Sequence, residues 1–188
     1  LEANCPPILA SENIVDFNGR EAMHLVNGDM SVFSVLRMPG RSDDENAQTF
    51  IFPKKGHVYD IRAGKYLGET NAVTAKVPHA DAVLFGNYPY KVENLKLAVP
   101  EMVKAGDDLK ADIAVVTSGG QAGHHVFHIQ VLNPDGKARF HMKRNVSAPQ
   151  GEYELKFRMA FNDPKGMWTL KVDDAMTGMT AEKKFLLQ

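Results

Sequence analysis

Several features that would define a class of protein are scarce in this sequence. Cys5 is the only cysteine, so the chain can form no internal disulfide, and a single thiol leaves its cellular compartment open. No apolar run approaches the roughly 18 residues of a membrane-spanning helix, and we expect no membrane insertion. The formal net charge of −1 creates no field to attract nucleic acid. No stretch of about ten residues has the apolar period of a helix, so helices should contribute little.

The common signatures of catalysis and of cofactor binding are missing as well. There is no Gly-x-Ser-x-Gly motif for a serine nucleophile, and the glycines end strands rather than opening phosphate-binding helices. Three pairs of neighbouring acids occur, Asp43-Asp44, Asp107-Asp108 and Asp173-Asp174. Glycoside hydrolysis needs two carboxylates on different elements facing a pocket, whereas neighbouring acids at turns are typical of caps. The sequence therefore predicts no enzyme activity, no catalytic residue and no cofactor.

Histidines in the second half of the chain are the best candidates for metal ligands. His124, His125 and His128 lie close together, and His141 follows. On a helix His124 and His128 would share a face, but on a strand they are about 13 Å apart, too far for one ion. A site would need His141 opposite His128 and a third ligand that the sequence does not identify. We predict no metal site here and leave a calcium ion in an acidic loop as an open alternative.

Alternation with a period of two, broken by turn residues, dominates the chain. Phe127, Ile129 and Val131 share one face of the clearest strand, and polar residues occupy the other. Asn133-Pro134-Asp135-Gly136 follows this strand and has the composition of a type I turn. In the first half, Asn27-Gly28 between two apolar runs predicts a hairpin with a type I′ turn. The pattern predicts an all-β protein.

The same alternation predicts which side chains of the second half are buried. The expected exposed positions are Gln130, Lys156 and Arg158. The expected strand residues with inward side chains include Ala138, Phe140, Met142 and Phe161. The expected core is Phe127, Ile129, Tyr153, Leu155, Phe157, Met159, Trp168 and Leu170.

A change of pattern at Asn87-Tyr88-Pro89-Tyr90-Lys91 indicates a domain boundary, because Pro89 would interrupt a central strand. We predict an arm or linker at 1–13, a small β-sandwich domain at 14–90 and an immunoglobulin-like β-sandwich at 91–188. The last assignment depends on about seven strands spaced roughly 8–12 residues apart. Since the chain begins at Leu1, we expect a mature product or a piece of a longer chain, with any signal peptide removed.

Four tyrosines are the best candidates for a ligand-binding role. Tyr59, Tyr66, Tyr88 and Tyr90 fall near predicted strand ends or at the junction. Flat aromatic rings in such places can stack on the apolar faces of sugars. The same positions also suit core or interdomain packing, and the sequence leaves both interpretations open.

Two segments of the first half resemble a known family. His57–Gly68, which contains Tyr59-Asp60-Ile61-Arg62-Ala63-Gly64-Lys65, and the closing strand Ala82–Tyr90 are similar to C-terminal β-domains of large bacterial glycoside-hydrolase-like proteins. The segments resemble especially those of the β-galactosidase-like, trimerisation-domain-containing group. There a second, immunoglobulin-like domain follows, with turns similar to Asn162-Asp163-Pro164 here. In that family the catalytic acids lie in an upstream barrel of about 250 residues, which this chain is too short to contain.

The resemblance implies an accessory part of a bacterial carbohydrate-processing protein that is secreted, periplasmic or on the cell surface. Our first hypothesis is therefore a non-catalytic structural or interaction module whose partner is a carbohydrate or another protein domain. A carbohydrate-binding module with an aromatic platform is the alternative. A small hydrolase with an unrecognised site is the third.

Overall fold

The chain is all-β, as predicted, and of the sandwich type. In a computed structural model, residues 10–11, 20–39 and 47–188 are described. They form 14 strands in three sheets, with two short 3₁₀ turns. Most of the predicted arm at 1–13, Cys5 and the acids Asp43-Asp44 lie outside the described residues. No helix of the described residues is long and apolar enough to cross a membrane.

The chain divides into two compact units, the first ending at Pro89 and the second running from Tyr90 to Gln188. The boundary predicted from the sequence comes one residue later. Pro89 has no backbone N–H with which to continue a strand ladder. The independence of the two units as domains stays a prediction.

The first unit consists of one six-stranded sheet in the order β1-β4-β6-β3-β2, with β5 paired to β4. All pairings are antiparallel. Its strands are β1 (Ala10–Ser11), β2 (Arg20–Asn27), β3 (Met30–Arg37), β4 (Gln48–Asp60), β5 (Lys65–Ala75) and β6 (Ala82–Tyr88).

The turn of the β2–β3 hairpin differs from the prediction. Asn27 pairs with Met30, so the two central residues are Gly28 and Asp29 instead of Asn27 and Gly28. Positive φ occurs only at the first of them, +60° at Gly28. This is the φ pattern of a type II′ turn, which places glycine at the first central position.

Strand β4 bends sharply and folds the sheet over its own core. Along β4 the register advances five residues from Ile51 to Gly56, while β5 advances only two. Pro53 lies in this bulge, where a strand tolerates a missing donor. Phe52 packs 5.8 Å from Phe85, centroid to centroid, although a straight strand would carry it about 26 Å from the position paired with Phe85. The bend thus lets one sheet enclose a core.

The second unit pairs a five-stranded sheet, β11-β10-β13-β14-β8, with a three-stranded sheet, β12-β9-β7. It has seven strands of five or more residues and the two-residue β8, and its immunoglobulin-like class stays a prediction. The strands are β7 (Lys91–Ala98), β8 (Met102–Val103), β9 (Asp108–Ser118), β10 (His125–Leu132), β11 (Arg144–Ala148), β12 (Glu152–Arg158), β13 (Gly166–Asp174) and β14 (Thr180–Leu187).

The core of the second unit agrees with the alternation in the sequence at most positions. Every predicted core residue is buried except Tyr153, which is half-buried. Lys156 and Arg158 are exposed as predicted, whereas Gln130 is half-buried. Trp168 is fully buried and its indole N–H donates to the carbonyl of Pro164 at 2.9 Å.

Two predicted strand continuations of the second unit are wrong. The turn at 133–136 forms as expected, with the Gly136 N–H donating to the Asn133 carbonyl and φ of +75° at Gly136. After it, however, Phe140–Met142 is a 3₁₀ turn, which buries Met142 and leaves Phe140 exposed. Strand β12 ends at Arg158, and Phe161 is exposed because it lies beyond the strand.

Candidate binding site in the first unit

The four tyrosines predicted to bind a ligand do not form an exposed platform. Tyr59, Tyr88 and Tyr90 are each at most 1% exposed, and Tyr66 is half-buried. The Tyr59 ring packs 5.4 Å from Tyr88 and 5.1 Å from Tyr66. Stacking on a sugar needs an accessible ring face, which Tyr59, Tyr88 and Tyr90 do not offer; a ligand-binding role for these tyrosines stays a prediction. Alternation places an aromatic residue on a face, but it cannot say whether that face is covered.

Tyr90 belongs to a buried hydrogen-bonded network in the second unit. Its hydroxyl lies 2.9 Å from Nε2 of His125 and accepts the backbone N–H of Gly123 at 2.9 Å. Nδ1 of His125 is 3.0 Å from both carboxylate oxygens of Asp174, which also accepts the hydroxyl of Thr177 at 2.5 Å. The arrangement is satisfied if His125 donates from Nδ1 and accepts at Nε2. All four side chains are buried, and the network links β10 to the end of β13.

The remaining clustered histidines lie on accessible positions of the same unit. His128 and Asn145 face each other across β10 and β11, with Nδ1 and Oδ1 2.6 Å apart. His124 reaches the Ser147 hydroxyl at 2.6 Å, and His141 lies in the exposed 3₁₀ turn. Within the described ranges, no group of three His, Cys, Asp or Glu side chains could hold a metal ion.

The described acid pairs support local structure. Asp108 opens β9 and accepts from Lys156 Nζ at 3.0 Å and Arg158 Nε at 2.8 Å. The hydrogen bond from Lys156, and then the positive charge of Arg158, hold the pKa of Asp108 below its ordinary value against an opposing effect of burial. Asp173 accepts the hydroxyl of Thr180 at 2.7 Å. These contacts fit the structural interpretation of the acids.

A pocket of about 320 Å³ lies at one end of the first unit. Three segments form it: the β2–β3 hairpin with its turn, the bulge of β4, and the end of β6. The bend in β4 brings the bulge to the end of β6, so the pocket follows from the way the sheet folds over. Its lining residues are His24, Val26, Gly28, Asp29, Ser31, Phe33, Pro53, Lys54, Lys55, Asn87, Tyr88 and Pro89.

The hairpin side of the pocket is held by stacking and one hydrogen bond. The ring of His24 stacks on Phe33 with centroids 4.3 Å apart and planes 9° apart. Nε2 of His24 lies 3.0 Å from the hydroxyl oxygen of Ser31. The stacking fixes the imidazole against the core while its edge faces the hydroxyl. This side of the pocket therefore offers a positioned histidine and serine.

The opposite side is organised by the bulge. Carbonyl groups in a bulge lose their ladder partners, and the side-chain amide of Asn87 donates to the carbonyl of Lys54 at 2.8 Å. A Cβ on Gly56 would overlap the Asn87 side-chain oxygen and lie 2.8 Å from the Tyr88 carbonyl. Only glycine therefore lets Asn87 reach the bulge. Lys55, next to Lys54, forms an ion pair with Glu69 at 3.1 Å.

The face of the same sheet away from its core carries an apolar surface. We define the outer apolar patch as Met23, Leu25, Val32, Leu36 and Leu84. Strand pairing puts these residues on one face, opposite Phe33 and Phe85, with Ser34 between Met23 and Leu84. Val32, Leu36 and Leu84 are half-buried. Met23 and Leu25 lie on β2, which is at the edge of the sheet among the described strands, and they are 58% and 57% exposed.

Comparisons with known proteins give structural likeness at low sequence identity. No protein-family model matches the sequence, and no curated protein matches it. Superoxide reductase (neelaredoxin) from Ignicoccus hospitalis is similar over 52% of this chain and 82% of that chain, with 14% identity and a TM-score of 0.38. Bacteroides uniformis β-glucuronidase is similar over 83% of this chain, with 9% identity and a TM-score of 0.31. This chain spans 26% of that enzyme, and the accessory-domain family stays a prediction.

The sequence reasoning missed the pocket. His24, Ser31, Asn87 and Lys54 come from segments far apart in the chain, and none belongs to a recognised motif. One signal was present, because Pro53 inside an otherwise strand-like run indicates a bulge. The pattern does not show which distant residues a bulge will approach.

Proposed function

We propose that the chain is a non-catalytic interaction module of an exported bacterial carbohydrate-processing protein, docking on another domain of that protein. The observation that carries the proposal is the outer apolar patch. Large apolar side chains that are contiguous on an exposed sheet face are characteristic of interaction surfaces. The family resemblance of the segments around Tyr59 and Tyr88 supports the carbohydrate-processing context.

The position of the patch at a sheet edge strengthens this interpretation. Natural edge strands are commonly protected by charged side chains, proline, short length or a covering element. Strand β2 spans eight residues, Arg20–Asn27; its charged residues, Arg20 and Glu21, lie at its start, and the rest of the strand contains no lysine, arginine, acid or proline. A partner domain that covers Met23 and Leu25, which are 58% and 57% exposed, would remove their remaining apolar surface from water, a gain of about 1–2 kcal/mol for each.

The test is binding between the chain and the catalytic domain encoded with it in the same gene or gene cluster, measured by isothermal titration calorimetry. Leu25→Asp is expected to abolish binding, because it places a charge in the apolar interface. Met167→Asp is the matched control, since Met167 is 52% exposed but lies in the second unit. Binding that Leu25→Asp leaves unchanged would refute docking through the patch.

The non-catalytic part of the proposal has its own measurement. The isolated chain is expected to hydrolyse aryl-glycoside and ester substrates no faster than buffer. Turnover that one side-chain substitution abolishes would show that the chain is an enzyme.

A further inference from the structure

The pocket of the first unit has the size of a site for one small molecule. Ligand sites in proteins occupy about 300–1,000 Å³, and this pocket, at about 320 Å³, lies at the lower end of that range. Its walls are fixed before any ligand arrives, since His24 is stacked on Phe33 and Asn87 is tied to the bulge. A preformed site avoids the entropic cost of ordering side chains on binding.

The polar lining favours a neutral ligand with several hydroxyl groups. Lys54 and Lys55 supply donors, Asp29 supplies acceptors, and Ser31 can do both. The charges of the pocket nearly cancel. Lys55 is paired with Glu69, and the positive charge of Lys54 is offset by the negative charge of Asp29. A phosphate or carboxylate would therefore find little net attraction, whereas a hydroxyl group can pair with either kind of partner.

The apolar lining supplies the second part of such recognition. Pro53, Pro89 and Val26, all exposed, contribute carbon surface to the same pocket, whereas Phe33 and Tyr88 border it as buried residues. A sugar ring presents carbon-bound hydrogens on its faces and hydroxyl groups around its edge. Apolar surface combined with a few positioned polar groups suits that pattern.

We propose that this pocket binds a single neutral sugar residue, with the polar groups of His24, Ser31, Lys54 and Asn87 contacting its hydroxyls. The proposal is independent of docking through the outer apolar patch, because His24 and the patch residues Met23 and Leu25 lie on opposite faces of β2. The two proposals can therefore fail separately.

The test is saturation-transfer NMR on the full chain with glucose, galactose, mannose, xylose and arabinose as neutral probes. Inorganic phosphate and glucuronate serve as anionic probes. For a ligand of about 12 heavy atoms, ordinary ligand efficiency corresponds to a Kd on the order of 1 mM. At least one neutral sugar is expected to show saturable binding in that range. Binding of phosphate or glucuronate alone, or of no probe, would overturn the proposal.

Variants locate the binding. Ser31→Ala and Lys54→Ala are each expected to weaken sugar binding about tenfold, as for the loss of one hydrogen bond in a site of this kind. His128→Ala, on the second unit, is the matched control and should bind normally. Thermal melting checks that each variant is folded. Lys54→Ala should leave the fold intact, because the Lys54 side chain is exposed on the bulge, outside the packed core. Sugar binding that both pocket variants leave unchanged would place the site elsewhere and refute the proposal.

Discussion

Asp174 provides a direct test of how the second unit is held together. Its buried carboxylate accepts from His125 Nδ1 at 3.0 Å, from the Thr177 hydroxyl at 2.5 Å and from the Met176 N–H at 3.2 Å. Asp174→Ala would remove the acceptor of these three hydrogen bonds. Each buried donor left unpaired costs about 1–3 kcal/mol. Allowing for relaxation, we expect a loss of about 3–5 kcal/mol, the range seen when one partner of a buried pair is removed.

Asp173 is a matched control, because it is the same residue type at the preceding position of β13. Its side chain points to the opposite face and is 29% exposed; it accepts one hydrogen bond, from Thr180, and lies 3.8 Å from Nζ of Lys171 in an ion pair. Asp173→Ala should cost only about 0.5–1 kcal/mol. Both substitutions change strand propensity in the same way, so the difference between them reports the buried network.

The assay is urea denaturation followed by the fluorescence of Trp168, the only tryptophan. Trp168 is fully buried in the second unit, so its emission reports the unfolding of that unit. If the free energies of unfolding of the two variants differ by less than about 1 kcal/mol, the carboxylate of Asp174 does not carry the hydrogen bonds described.

Three further predictions follow from the same structure. Phe157→Ala should destabilise the second unit by about 3–5 kcal/mol through lost burial and a cavity, while Phe161→Ala, at an 87% exposed ring, should change little; equal effects would mean that the faces are misassigned. The hydrogen bond from Lys156 lowers the pKa of Asp108. The ionised Asp108 carboxylate should therefore stabilise the fold at neutral pH, and this stabilisation should disappear as the pH falls through the lowered pKa. Titration monitored by NMR, with Asp108→Asn as control, would check this. A fragment of residues 90–188 should fold by itself, and circular dichroism showing an unfolded fragment would mean that the two units share one core.

The strands and most of the core could be predicted because alternation with a period of two is a local property. In β10, Phe127 and Ile129 are buried as their spacing predicts. Where the alternation continues past the end of a strand, the burial predicted from it is wrong. Phe140 and Phe161 lie at alternating positions, but the backbone there leaves the ladder and the side chains are exposed. Alternation shows which residues could share a face, while hydrogen bonding to a neighbouring strand decides where that face ends.

The boundary between the units also shows that a local pattern does not reveal contacts between distant residues. Pro89 was a sound local signal, since proline ends strand ladders. The sequence-based boundary nevertheless grouped Tyr90 with the first half, whereas the structure begins the second unit at Tyr90. Its hydroxyl is bonded to His125, 35 positions later. A contact at that separation leaves no trace in the local pattern.

The candidate site depends on tertiary structure more than any other part of the first unit. The bulge around Pro53 bends β4, the bend brings Asn87 to the carbonyl of Lys54, and the absence of a side chain at Gly56 makes room for that contact. The same bend carries Phe52 onto the core. Core closure and pocket formation therefore have one cause. A substitution that straightened β4 would be expected to remove both, so changes at the pocket are informative about binding only where, as with Ser31 and Lys54, the bend itself is left intact.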